Sequence, residues 1–383
     1  MEVAASADGS TPRQFPCENC GAQLKFEPGT TALVCPYCQA ENEIEASGPA
    51  VEERDFKEAL ALLQSREATV EVLTVQCTNC GAQTDFESNV SGEKCAFCGS
   101  SIVAESHTCQ VIRPEALLPF RVTDREARDK FERWLKKLWF APNDLKQYAR
   151  REGRLSGIYI PHWTFDARTE TDYRGQRGTY YYVTQTYTTS QNGRPVTRTR
   201  QVRKTRWRST SGHVTNMFDD VLVLGSTSLP PSYRPEYPPE ELKSLVPYES
   251  AYLSGFRTET YTIDLEGGFR AACQIMDGVV NQSIRRDIGG DDQRITWTHT
   301  DYNDVTFKHI LLPVWISTYR YRDKPYRFVV NARTGAVQGE RPYSKIKIAL
   351  AVLATLIVAF LLFLLLGDSG GAVDAADMLY DYY

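Results

Sequence analysis

The hydrophobic positions of the chain follow four different patterns, and each predicts a different kind of element. Apolar residues at helical spacing occur three times. Phe56, Leu60 and Leu63 lie within Glu52 to Glu67. Ala127, Phe131, Trp134, Leu135 and Leu138 follow the capping-box run Thr123-Asp124-Arg125-Glu126 and precede Pro142, the expected stop. Phe269, Ala272, Met276, Val279 and Val280 lie within Leu265 to Arg286. Stretches rich in β-branched and aromatic residues predict strands at 158–165, 179–189, 195–210, 294–300, 309–321 and 326–330, with turns at Asn192-Gly193, Asp323-Lys324 and Asn331 to Gly335. From Ile348 to Leu366 no charge interrupts nineteen residues, long enough to cross a bilayer core as one helix. The region before residue 105 has little periodicity and is punctuated by cysteines instead.

Short motifs echo between the two halves of the β-rich part. Leu245-Val246-Pro247-Tyr248 resembles Leu117-Leu118-Pro119-Phe120, and Leu312-Pro313-Val314-Trp315 resembles Ile160-Pro161-His162-Trp163. A helical segment separates the members of each pair, as in a duplicated α+β module. The fold class expected is therefore multidomain. A disordered stretch (1–13) is followed by a first small β unit (14–45), a linker with a short helix (46–74) and a second small β unit (75–104). Two α+β modules follow (105–240, holding a long β-hairpin, and 241–345), then a transmembrane helix (346–366) and a short acidic tail (367–383).

Composition sharpens this only in places. The content of 21 Tyr, 16 Phe and 6 Trp fits many half-buried strands, and a net charge of −4 argues against a protein whose whole surface binds nucleic acid. Arg341, Lys345 and Lys347 precede the apolar span, whereas the residues after it include four aspartates and no Lys or Arg. Positive flanks stay in the cytoplasm, so the expected location is the inner membrane, single-pass, with the large N-terminal part cytoplasmic.

Eight of the ten cysteines fall in one repeated frame. Cys17 and Cys20 are followed by Cys35 and Cys38; Cys77 and Cys80 are followed by Cys95 and Cys98, with the same fourteen-residue gap. Gly-Ala-Gln follows the first pair in both copies, and Phe26 and Phe86 sit at matching positions. Two Cys-x-x-Cys turns bring four thiolates to one point, and a soft tetrahedral ion satisfies them, so each copy reads as a zinc ribbon holding one structural Zn²⁺. Disulfides suit a secreted chain, and ferredoxin clusters use other spacings. His107 and Cys109 follow the second ribbon without adding to its frame, and Cys273 falls on an apolar helix face as a buried thiol.

Outside the ribbons, Arg198, Arg200, Lys204, Arg206 and Arg208 share one parity on a predicted hairpin arm and so point to one side. Such a stripe is either a solvated face or a site for anionic lipid, an acidic partner or nucleic acid. The Ile288 to Gln293 loop carries Asp291 and Asp292, close to Asp287, and reads as a turn or as a weak cation site. No phosphate-binding loop, His-Glu-x-x-His helix or Gly-x-Ser-x-Gly elbow is present, and the five histidines have no nucleophile or carboxylate arranged about them. The expectation is a protein that is not an enzyme.

Together the ribbons, the Leu-Leu-Pro-Phe helix, Gly157 to Asp166, Asp287 to Asp291, Phe307 to Trp315 and the terminal apolar span resemble a bacterial family of membrane-anchored double zinc-ribbon proteins, the YdjG-like proteins. Its members often carry primosomal, helicase-like or transcription-factor-IIB-type labels. The resemblance implies a membrane-tethered adaptor with PspA-like or SPFH-like partners. A nucleic-acid-binding protein at the membrane is the alternative, and a metal-dependent enzyme using Asp287, Asp291 and Asp292 a weaker one.

Overall fold

The computed structural model describes residues 15–44, 51–65, 69–85, 95–100, 106–142, 144–145, 155–191, 194–230, 233–321 and 324–367. The N-terminal stretch read as disordered, Phe86, the Asn192-Gly193 turn, Asp323 and the acidic tail from 368 onward lie outside them. In chain order the elements are β1 (Lys25–Phe26), β2 (Ala32–Val34), β3 (Glu41–Glu43), β4 (Arg54–Asp55), α1 (Phe56–Ser65), β5 (Thr69–Gln76), β6 (Gln83–Asp85), β7 (Ser106–Ile112), β8 (Ala116–Leu117) and α2 (Asp124–Lys136). There follow β9 (Ser156–Gln191), β10 (Arg194–Leu224), the single turn α3 (Pro239–Leu242), β11 (Val246–Pro247), β12 (Arg257–Thr258), α4 (Leu265–Ile288), β13 (Asp292–Tyr321), β14 (Lys324–Asn331), β15 (Val337–Gly339) and α5 (Lys345–Gly367).

One nine-stranded sheet dominates, with the backbone order β10-β9-β13-β14-β15 and the short β4, β8, β11 and β12 attached to it. Its strands are far longer than their apolar patterns. The expected strands 158–165 and 179–189 are parts of the continuous β9, and 294–300 and 309–321 are parts of β13. The connecting stretch of β9 buries Ala167, Thr169, Thr171 and Tyr173 on one face and turns Arg168, Glu170, Asp172 and Arg174 to the other, so the period-2 pattern is carried by small and polar residues rather than by large apolar ones. Pairing on both edges holds it extended: β10 on one side and β13 on the other, with bulges at Phe218/Val221, Ile295/Trp297 and Asn303/Thr306.

The echoed motifs have a structural counterpart. Ile160 pairs with Leu312, Tyr159 with Pro313 and Pro161 with Leu311, so the two copies of the Pro-containing motif meet antiparallel about one point. The other echoed pair also meets, Val246 beside Leu117 and Pro247 beside Ala116. Strand order β10-β9-β13-β14 is then symmetric about the β9/β13 seam, a pseudo-two-fold. The two halves complete one sheet rather than standing as separate sheets.

Helices cover one face. The Thr123 hydroxyl accepts from the Glu126 N–H, and the Glu126 carboxylate accepts from the Thr123 N–H, so the expected capping box opens α2. The helix stops at Lys136, before Pro142. Phe131 stacks on Phe328 of β14 with ring centroids 3.5 Å apart. Helix α4 begins on the Asp264 cap and buries Leu265, Ala272, Met276, Val280, Ile284 and Ile288, mostly at four-residue spacing, against β9 and β10. Val279, expected inward, is 44% exposed, and Cys273 is only half-buried. Each helix thus packs on the strands of the other half.

His162 and His309 lie on the β9/β13 seam, both buried. The Nδ1–H of His309 donates to the Ile112 carbonyl at 2.9 Å, while Nε2 is buried without a partner. Burial holds both rings down to about 4. They stay neutral in the folded chain where ordinary histidines, near 6.5, have taken up protons, so their contribution is full above about 6.5 and lost as pH falls toward 4. Asp166, pushed up to about 7 chiefly by burial, acts with the opposite sign over much of that window. The histidine part is therefore read by difference. Between about pH 7.5 and 5 the melting temperature of the wild type should fall relative to that of a His162→Asn, His309→Asn variant. Parallel pH profiles for the two proteins would refute this.

Candidate metal centres and a basic ribbon

Each cysteine frame closes on one point. In the first, Sγ atoms of Cys17 and Cys38 are 3.5 Å apart and those of Cys20 and Cys35 are 3.5 Å apart. In the second, Cys77 and Cys98 are separated by 3.6 Å and Cys80 and Cys95 by 3.7 Å. Disulfide sulfurs sit about 2.05 Å apart, whereas zinc–sulfur bonds of ~2.3 Å in a tetrahedron place them about 3.8 Å apart. All eight cysteines are free thiols with the spacing an ion requires.

The knuckles explain how a short chain reaches this geometry. In the first turn of each copy the Cys N–H donates to the Ala carbonyl five residues on (Cys17 to Ala22, Cys77 to Ala82), and the glycine N–H returns to the Cys carbonyl. Gly21 and Gly81 take φ of 73° and 77°, where a Cβ would be strained. Gly99 and Gln39 hold the same place in the second turns, at 72° and 59°. Amide N–H groups also face sulfur: the Ala40 N–H leads the contacts that draw Cys38 down to about 6. A four-thiolate shell with such support has no open position, which suits a structural ion rather than a catalytic one.

The ribbons are built into the body of the protein. Phe26 of the first packs edge-on to Tyr252 at 5.2 Å, and Ser254 binds the ribbon backbone twice, its hydroxyl donating to the Leu24 carbonyl and its carbonyl accepting from the Phe26 N–H. The second packs Ala82, Phe97 and the Cys77, Cys95 and Cys98 side chains against Ile158, Ile160, Val314, Ile316 and Val329. Tyr159 and Trp315 belong to the first cluster, while their chain neighbours belong to the second. Successive residues of a strand face opposite ways, so the two ribbons cover opposite faces of one sheet.

The predicted stripe is present and exposed. Arg198, Arg200, Lys204, Arg206 and Arg208 lie opposite Tyr187, Gln185, Tyr181, Thr179 and Arg177 of β9. Arg200 lies over Tyr187 and Arg206 over Tyr181, at 5.6 and 5.2 Å. From Tyr173 to Phe218 the sequence has nine Lys and Arg and no Asp or Glu. Because β13 begins at Asp292, opposite Gly178, the strand pairing of the hairpin beyond that point is, among the described residues, between its own two arms. It is a free basic ribbon. The end near α5 is opposite: Ser156 of β9 pairs with Ile316 of β13, and just beyond, the Tyr319 hydroxyl donates to the Glu340 carbonyl, five residues before α5.

Asp287, Asp291 and Asp292 do not converge. Asp287 accepts from the Tyr173 hydroxyl, Asp291 from the Tyr180 N–H, and Asp292 from the adjacent Gln293 N–H, so all three trim the start of β13. Sequence reasoning missed a different acidic group, Glu53, Asp166 and Asp219, drawn from three distant segments with no shared spacing. Lys308 lies beside it, 3.0 Å from Glu53 and 2.8 Å from Asp220, and already supplies positive charge there.

Helix α5 is apolar over Lys345–Leu364 and none of it is buried against the rest of the protein. Among known proteins, the chain is similar to the uncharacterized protein YdjG of Bacillus subtilis (strain 168), with 26% identity over 343 residues, covering 88% of this chain and 92% of that protein. No family model matches the chain, and no solved structure does.

Proposed function

We propose that the protein is a membrane-tethered, cytoplasm-facing zinc-ribbon adaptor, in which two structural Zn²⁺ ions stiffen a sheet that presents docking surfaces to protein partners. The observation that carries this reading is the joint presence of two closed Cys₄ shells packed on the sheet and one apolar helix with no buried residue from Lys345 to Leu364. A closed shell supplies rigidity, and an unburied helix of this length has hydrocarbon as its natural solvent. Partners of the PspA-like or SPFH-like kind remain what the family resemblance implies. Affinity capture of the full chain in mild detergent, with bound proteins and nucleic acid both quantified, tests the reading. Membrane-associated proteins held only by the zinc-loaded form support it. Capture of nothing but nucleic acid ends it.

The free basic ribbon favours a second reading, nucleic-acid binding. Arg-rich, acid-free and carrying exposed Tyr181, Tyr182 and Tyr187, it has the makings of a phosphate- and base-contacting arm. Changing Arg198, Arg200, Lys204, Arg206 and Arg208 together to Gln should flatten the plot of log affinity against log salt by about 4 to 5 on duplex DNA, if each cation meets one phosphate. An unchanged slope would remove the ribbon from any such role.

A further inference from the structure

Immediately after α2 the chain makes a short exposed loop. Trp139 is 85% and Phe140 43% exposed, an unusual presentation of two large aromatic side chains on one turn. The loop is fastened to the first turn of α5. The Ser344 N–H donates to the Phe140 carbonyl at 2.7 Å, and the Lys347 ammonium donates to the Ala141 carbonyl at 2.7 Å. Tyr343, 58% exposed with Arg341 over its ring, stands beside the same junction.

These contacts fix the height of the loop relative to the apolar helix. Ser344 precedes Ile348, the first residue of the uncharged run, by four residues, or about 6 Å along a helix axis. The polar layer on each side of a hydrocarbon core is of about that thickness. An indole with an apolar body and one N–H donor prefers this layer, as does tyrosine, while Lys345 and Arg341 reach the phosphates.

We infer that Trp139, Phe140 and Tyr343 form a second membrane contact that inserts at the headgroup level and seats the folded body against the bilayer beside the anchor. The inference rests on the tethered reading above. The basic ribbon, at the far end of β9, then points away from that membrane.

The test uses the full-length protein reconstituted into phosphatidylcholine and phosphatidylglycerol vesicles, with bromine placed either near the headgroup end or near the methyl end of the acyl chains. Of the other five tryptophans, Trp163 and Trp315 are buried, Trp134 is half-buried and stacked on Phe131, and Trp207 and Trp297 lie where the basic ribbon begins, so the Trp139 component is identified by its loss in the variant. The shallow quencher should remove a fluorescence component that the deep quencher spares and that is missing from a Trp139→Tyr variant. Resistance of both proteins to carbonate extraction shows that the helix is inserted. Retention with no quenching of the Trp139 component overturns the second contact alone, whereas extraction of the wild type overturns the tether and the contact with it.

Discussion

Replacing Cys77 and Cys80 by serine is expected to halve the bound zinc, from two ions per chain to one, and to expose the sheet face that the second ribbon covers. The ribbon owes its turn to two residues of the shell, and comparable peptides gain about 10 to 16 kcal/mol of apparent folding energy from the ion. In a free-standing ribbon that loss would stay local. Here Cys77, Cys95, Cys98 and Phe97 are part of the cluster that contains Ile158, Ile160, Val314 and Ile316, at the end of the β9/β13 seam nearer α5. Loss of the metal therefore reaches the seam. Metal analysis should give one zinc, and thermal unfolding should show a large drop in midpoint and a rise in dye binding to exposed apolar surface. A variant that keeps the wild-type midpoint after losing its second ion would show that the ribbon is an appendage.

Phe97→Ala separates metal binding from docking. Phe97 is fully buried between two ligands, Cys95 and Cys98, and contributes no donor atom to the shell. Truncating a buried phenylalanine removes its transfer energy and leaves a cavity, a loss of about 3 to 5 kcal/mol. Zinc stoichiometry should stay at two while chemical denaturation shifts by that amount. If instead the variant loses one ion, shell and seam fold as a single unit, and the metal cannot be assigned a separate share of stability. For comparison, Tyr37 is 82% exposed at the matching knuckle position of the first ribbon, and its truncation should leave stability within about 0.5 kcal/mol.

What could be read from the sequence follows from where each signal is stored. Cysteine spacing is local, so the membership of both Cys₄ clusters was legible, as were the Thr123 capping box and the boundaries of α1 and α4 to within a few residues. The echo of Ile160-Pro161 in Leu312-Pro313 was legible as well, although not that the copies would meet across a seam. Strand length was not legible. One edge of the middle of β9 is held by β13 partners more than a hundred positions away, and although Ala167, Thr169 and Thr171 alternate with Arg168, Glu170 and Asp172, these small buried residues carry too little apolar surface to read as a core face. The same distance hid the Glu53, Asp166, Asp219 and Lys308 cluster, because no two of those segments are neighbours in the chain. Trp139 and Phe140 were visible as aromatic residues near a predicted helix end. Their meaning required the contact with Ser344.

The position of β9 also sets an order of events during synthesis. The hairpin with β10 has only a two-residue loop and can close on the ribosome within microseconds, but the other edge of β9 must wait for β13, whose paired residues lie over a hundred positions later. At roughly 5 to 20 residues per second, that edge stands open for many seconds. An open edge of this length invites pairing with another nascent chain, and cations along a hairpin are a standard defence. Arg174 and Arg177 lie on that edge, so the charge that marks the finished ribbon also guards its unfinished partner.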